Sequence, residues 1–149
     1  MPKRRDQIKM SSEEIETFLH GRRTMTVATI GRDGWPHLVA MWYGFLDGAP
    51  VFETYRKSQK VLNLQRDDRI TCMIEDGDAY EELRGVELVG RGEVIEDPEV
   101  VMAAARSVVQ RYFGVPDDQI DGFAAALAAK RVAVKVHVDQ VVSWDHSKL

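Results

Sequence analysis

Phe52-Glu53-Thr54-Tyr55-Arg56-Lys57-Ser58-Gln59-Lys60-Val61-Leu62-Asn63-Leu64 is the stretch on which the fold turns. An apolar, β-favouring run ends in Arg56-Lys57-Ser58, and a short helical pattern then begins with Lys60 near its start. Three cations and a hydroxyl at a strand-to-helix junction suit a phosphate or another compact anion. Backbone N–H groups point out of a helix start, and the helix dipole favours negative charge there. The competing reading is a solvated surface turn, since charge clusters commonly do no more than face water. The elements on either side decide between the two.

Upstream, Ser11 and Glu14 have capping-box spacing, and Ile15, Phe18 and Leu19 recur at helical spacing, which predicts a helix over Ser12 to His20. Arg23 to Ile30 reads as a strand. Asp33-Gly34 turns it into a second strand, His37 to Phe45, whose apolar residues fall on both faces. Pro36 suits only the start or edge of that strand. Asp47-Gly48 makes another hairpin turn, and Ala49 to Tyr55 delivers the basic cluster. After the helix Ser58 to Arg66 come a strand, Arg69 to Glu75, and an acidic connection, Asp76 to Leu83. A long strand follows, Val86 to Ile95, interrupted by Gly90 and Gly92. Glycines inside a strand predict a bulge, a bend or a close backbone approach.

Asp97-Pro98-Glu99 and Pro116-Asp117-Asp118 start two helices. Val132 to Trp144 is a final strand with a break near Asp139-Gln140. Six strands with short turns favour an antiparallel barrel over a doubly wound parallel sheet.

The chain is expected to form one domain over residues 1–149, with residues 1–10 as a flexible tail. A net charge of −4 argues against general nucleic-acid binding. The single cysteine, Cys72, excludes an internal disulfide and a Cys-rich metal site, and its apolar surroundings predict a small buried hydrophobe. No apolar run reaches the roughly 18 residues needed to span a bilayer, and no apolar signal segment follows the N-terminus, so a cytoplasmic location is expected. The four histidines show no ligand spacing, and no metal site is expected.

Thr26-Val27-Ala28-Thr29-Ile30, Asp33-Gly34-Trp35-Pro36-His37, Met41-Trp42-Tyr43, Arg56 to Leu64, Asp67-Asp68-Arg69-Ile70 and Ser143-Trp144-Asp145 stand in an order and spacing that resembles a known family. The resemblance is to the FMN-binding split barrels related to pyridoxamine phosphate oxidase, and within them to the actinobacterial branch that uses the deazaflavin coenzyme F420. It implies a mainly β fold, a six-stranded antiparallel Greek-key split barrel, forming a homodimer with cofactor grooves at the interface. It implies that Lys60 is the leading phosphate ligand with Ser58 beside it, that Arg56 and Lys57 assist, and that Thr54 and Tyr55 lie against the ring. Trp42 and Tyr43 would belong to the ring-and-substrate pocket, and Ala28 and Thr29 would offer backbone groups to the ring edge. Asn63 is expected to brace the helix.

With F420 the expected activity is hydride transfer to an unsaturated or quinone-like small molecule. With FMN it would be an oxidoreductase of the pyridoxamine phosphate oxidase type, and a non-catalytic carrier of the cofactor or a lipid remains open. No residue stands out as a proton donor; Tyr43 is the first candidate and His37 the second.

Overall fold

The computed structural model describes all residues of the chain, 1–149. Seven strands form one antiparallel sheet: β1 (Met25–Ile30), β2 (Pro36–Met41), β3 (Gly44–Leu46), β4 (Ala49–Tyr55), β5 (Arg69–Asp76), β6 (Arg84–Ile95) and β7 (Arg131–Asp145). Their order is β2-β1-β5-β6-β7-β4-β3. The two outermost strands, β2 and β3, are consecutive in sequence and separated only by Trp42 and Tyr43. The chain therefore leaves one edge of the sheet and at once becomes the other edge, which curls the sheet into a split barrel.

The predicted strand His37 to Phe45 is thus two strands. Its apolar residues on both faces belong to a chain that changes partners midway: β2 pairs with β1, and β3 with β4. Pro36 is the first residue of β2, where its missing N–H costs no ladder bond. Asp47 and Gly48 both have positive φ, 51° and 80°, the backbone that a tight two-residue hairpin demands.

The expected irregularity in the two longest strands is a bulge. Val89 pairs with Gln140 and Gly90 with Val138, which leaves Asp139 as the extra residue. A Cβ on Gly90 would lie 1.9 Å from the His137 carbonyl oxygen, so the two backbones approach as only glycine permits.

Five helices surround the sheet: α1 (Arg4–Gln7), α2 (Ser12–His20), α3 (Gln59–Arg66), α4 (Pro98–Tyr112) and α5 (Ile120–Ala128). The Ser11/Glu14 capping box is present in full and starts α2. Phe18 and Leu19 of α2 join Met25, Val27, Tyr43, Phe52, Ile70, Cys72 and Val134 in the main core. Cys72 is the buried hydrophobe expected, and burial pushes its thiol up to about 12. On the opposite face of β4 and β7, Val51 and Ala133 pack against Val101 and Ala104 of α4.

The tail differs from expectation over its last residues. Met10 is buried in the main core, its N–H donates to Ser143 Oγ, and the Ile8 carbonyl accepts from the Asp145 N–H. Alternation of a few apolar residues carries no signal for a segment held by backbone bonds to a strand more than 130 positions away.

Gly90→Ala forces the β6 and β7 backbones apart and is expected to cost roughly 1–3 kcal/mol, the usual penalty for overpacking. Chemical denaturation read against the parent protein measures it.

Candidate functional site

The cationic stretch sits where β4 ends and α3 begins. β4 is covered on one side by β7, with Tyr55 opposite Arg131, and it presents Val51, Glu53 and Tyr55 toward α4 and α5 by alternation. Ser58 is the N-cap of α3, but its side chain caps no backbone N–H. Its hydroxyl instead accepts from Thr54 Oγ1 at 3.3 Å. No acidic residue lies in the first turn of α3. The helix start thus keeps its N–H donors and its positive dipole end without an internal counter-charge.

Lys60 lies on that first turn and is 8% exposed. A cation at a helix N-terminus opposes the dipole, and burial adds a desolvation cost that holds its pKa below the usual lysine range. Burial is the sole cause of that shift, and no carboxylate offsets it. A mostly buried lysine whose ammonium opens to the cavity without a carboxylate partner, at a helix start that keeps its N–H donors, suits a bound anion.

Lys60 lines a cavity of about 320 Å³ with Thr54, Tyr55, Trp42, Glu53 and Arg131, closed by Val108 of α4 and Leu127 of α5. Trp42, 49% exposed, is stacked on Tyr112 with centroids 4.9 Å apart and planes 5° from parallel. That stacking turns a flat aromatic wall toward the cavity mouth. An adjoining groove is lined by Tyr55, Arg56, Lys57 and Lys130, and the Arg131 guanidinium sits 4.6 Å over the Tyr55 ring. Five cations, Arg56, Lys57, Lys60, Lys130 and Arg131, therefore gather around one tyrosine.

Of the residues expected at the site, Lys60, Thr54, Tyr55 and Trp42 share the Lys60 cavity, and Arg56 and Lys57 share the adjoining groove. Ser58 stands behind them as the helix cap. Ala28 and Thr29 line neither space. β1 is an interior strand paired with β2 and β5, which occupies its backbone groups in ladders. Thr29 instead accepts a hydrogen bond through Oγ1 from Asn63 Nδ2 at 3.0 Å, and Asn63 is fully buried. Asn63 braces α3 against β1, as expected.

Tyr43 is not at the site. It is fully buried, its hydroxyl donates to the Leu19 carbonyl, and burial raises its pKa to about 12. A phenol already donating inside the core cannot serve a substrate, so its candidacy as proton donor is withdrawn. His37 is in a different groove, of about 500 Å³, with Trp35, Gln59 and Asn63, and its buried Nδ1 has no partner.

Two cavity residues were not anticipated. Glu53 is 8% exposed, and its Oε2 is buried without a hydrogen-bond partner. Arg131 is the first residue of β7. A carboxylate in the middle of an otherwise buried strand was the available signal for the first. Nothing local marks the second, because its place beside Tyr55 comes from strand pairing.

No helix is long and apolar enough to cross a membrane, and no group of three or more His, Cys, Asp or Glu side chains could hold a metal ion.

The sequence profile described as pyridoxamine 5'-phosphate oxidase matches residues 11–145, so the chain belongs to that family of flavin-binding split barrels. Among solved structures it is similar to conserved hypothetical protein Rv2991 from Mycobacterium tuberculosis. That similarity is at 45% identity and a TM-score of 0.92, covering 99% of this chain and 92% of that one. It is also similar to an F420 reductase at 25% identity and a TM-score of 0.67, over 85% of this chain and 94% of that one. A heme binding protein from Mycobacterium smegmatis shares the fold at 21% identity and a TM-score of 0.68, over 95% of this chain and 60% of that one. A search of curated proteins returned no match.

Glu53 makes stability depend on pH. Burial raises its folded pKa above the ordinary 4.5, and nearby Arg131 only partly opposes this. The folded state therefore holds a proton that the unfolded chain has lost, and stability falls as pH rises from 4.5 through the folded value. Glu53→Gln is expected to remove that fall, leaving the variant more stable than the parent at neutral pH and no more stable in acid. Thermal unfolding across pH reads the difference.

Proposed function

We propose that the protein is an F420-dependent oxidoreductase. Its cofactor phosphate would rest on Lys60 and the start of α3, and its ring would lie between the β4 strand and Trp42. The observation that supports this most is Lys60, a mostly buried lysine without a carboxylate partner, at a helix start that no side chain caps. The residues fit an anionic, flat-ringed cofactor. Lys60 supplies a point charge, Arg56, Lys57 and Lys130 supply a cationic approach, and Trp42, Tyr55, Val108 and Leu127 supply apolar walls. The family's fold and the similarity to an F420 reductase support the choice of cofactor.

When bound, a deazaflavin supplies hydride chemistry, and the chain's own groups bind, orient and shield. The acceptor would be an unsaturated or quinone-like small molecule entering past Trp42. We further propose a homodimer. Leu38, Ala40, Trp42 and Leu62 are exposed beside the cavity, and a second copy would cover them while closing the groove.

The purified protein is expected to bind F420 in a fluorescence titration, and to oxidise reduced F420 in the presence of an enone or quinone panel. Lys60→Ala is expected to weaken F420 binding about tenfold or more, the usual worth of a hydrogen bond to a charged group. Lys60→Arg is not expected to restore it, because a planar fork does not replace a point charge on a mostly buried stem. A protein that purifies yellow with FMN, or an unchanged affinity in Lys60→Ala, would sink this assignment. Sedimentation at micromolar concentration is expected to give twice the chain mass; a monomer would remove the dimer.

A further inference from the structure

β7 is the longest strand of the sheet, and one of its two sides is only partly covered. β6 pairs along the other side from Ala133 to Asp145. On the β4 side the pairing stops at Lys135, opposite Val51. Pro50, the next residue of β4 to be met, has no N–H to offer, which ends the ladder. Cover resumes at the far end, where the Asp145 N–H donates to the Ile8 carbonyl and Ser143 Oγ accepts from the Met10 N–H. In between, no hydrogen bond reaches the backbone of residues 137–142 from that side.

The free backbone groups lie beside an apolar groove. The Lys130 carbonyl accepts from the Arg56 N–H on the β4 side, so alternate residues counted from it, ending at Val138, turn their backbone groups that way. Counting back from Asp145 gives Val141, and the bulge at Asp139 absorbs the odd residue between the two. Val138 and Val141 also carry side chains on the core-facing side of the strand, opposite Gly90 and Leu88, yet they are 38% and 43% exposed. They line a groove of about 430 Å³ with Ile15 and Leu19 of α2, Leu88 and Pro50. Glu16 and Asp47 stand in the same lining, which holds no lysine or arginine. Lys135 lies 3.7 Å from Asp47, and His20 lies 3.6 Å from Glu16.

An unpaired strand edge with an apolar groove at alternate side chains is what an added strand needs. Main-chain bonds would come from Val138 and Val141, apolar side chains would fill the groove, and a cation would meet the acidic rim. The bulge interrupts long regular pairing, so the edge suits a short segment.

We propose that this edge of β7 is a docking site for a short extended segment of a partner protein, with alternate apolar side chains and a lysine or arginine between them. Nothing in it depends on what the Lys60 cavity binds.

The probe is the peptide acetyl-Lys-Val-Thr-Val-Lys-Val-amide, followed by NMR shift titration and amide hydrogen exchange. In the free parent protein the Val138 and Val141 amides are expected to exchange fast, and the peptide is expected to slow both about tenfold or more. A copy methylated at every backbone amide is expected to bind about tenfold more weakly, roughly the worth of one or two hydrogen bonds. A copy with glutamate for lysine is expected to lose roughly two- to fivefold, the range of exposed ion pairs. Val141→Lys, at a half-exposed position, is expected to fold and to bind the parent peptide about tenfold more weakly, because it puts a charge into the apolar groove.

Slow exchange of both amides in the free protein would overturn the proposal, and so would the absence of protection with millimolar peptide. Equal binding of the methylated copy would mean apolar adsorption without strand pairing and would overturn it too. Protection that grows with protein concentration alone would give the edge to a second copy of this chain instead. Unchanged binding by Val141→Lys would place the peptide elsewhere. The exchange measurements use the parent protein, so they decide even if that variant does not fold.

Discussion

Arg111 braces the turning point of the sheet. Its guanidinium, carried on α4, donates to the Tyr43 carbonyl at 2.8 Å, to His20 at 3.2 Å and to Gly21 at 3.3 Å, and it lies over the rings of Tyr43 and Phe45. The His20 and Gly21 carbonyls lie at the end of α2, where the helix itself supplies no donors and its dipole is negative, and the Tyr43 carbonyl belongs to the break between β2 and β3. One planar cation thus ties a helix end, the turning point of the barrel and α4 together. Lysine has neither the fork nor the flat face for it.

The site inherits its geometry from that tie. Because the chain breaks at Trp42-Tyr43, the two aromatics leave in different directions: Tyr43 into the core, and Trp42 onto Tyr112 at the rim of the cavity. α4 and α5, fixed over β4, supply Val108 and Leu127 as the cavity's apolar side. The energetic character of the site is set by omission as much as by content. Lys60 has no carboxylate partner, α3 has no first-turn acid, and Glu53 has no donor. A structure that holds several charges in unfavourable places loses stability there, and such places concentrate where a ligand completes the set.

The sequence by itself determined most of the architecture. The Ser11/Glu14 cap, the two Asp-Gly turns, the long last strand and the glycine-marked bulge are local signals. Each is written within a few residues and obeyed by the structure. The cationic strand-to-helix junction was legible for the same reason, since helix starts and their charges are local features. Tertiary structure decided what depends on pairing between distant segments. It sent Tyr43 inward, held Ile8 to Met10 on the end of β7, spent the β1 backbone in ladders, and brought Arg131 beside Tyr55 and Glu53. A residue's neighbours across a sheet are fixed by register and curvature. A one-residue change in either exchanges the two faces of a strand, and no local pattern records which face a ligand will meet.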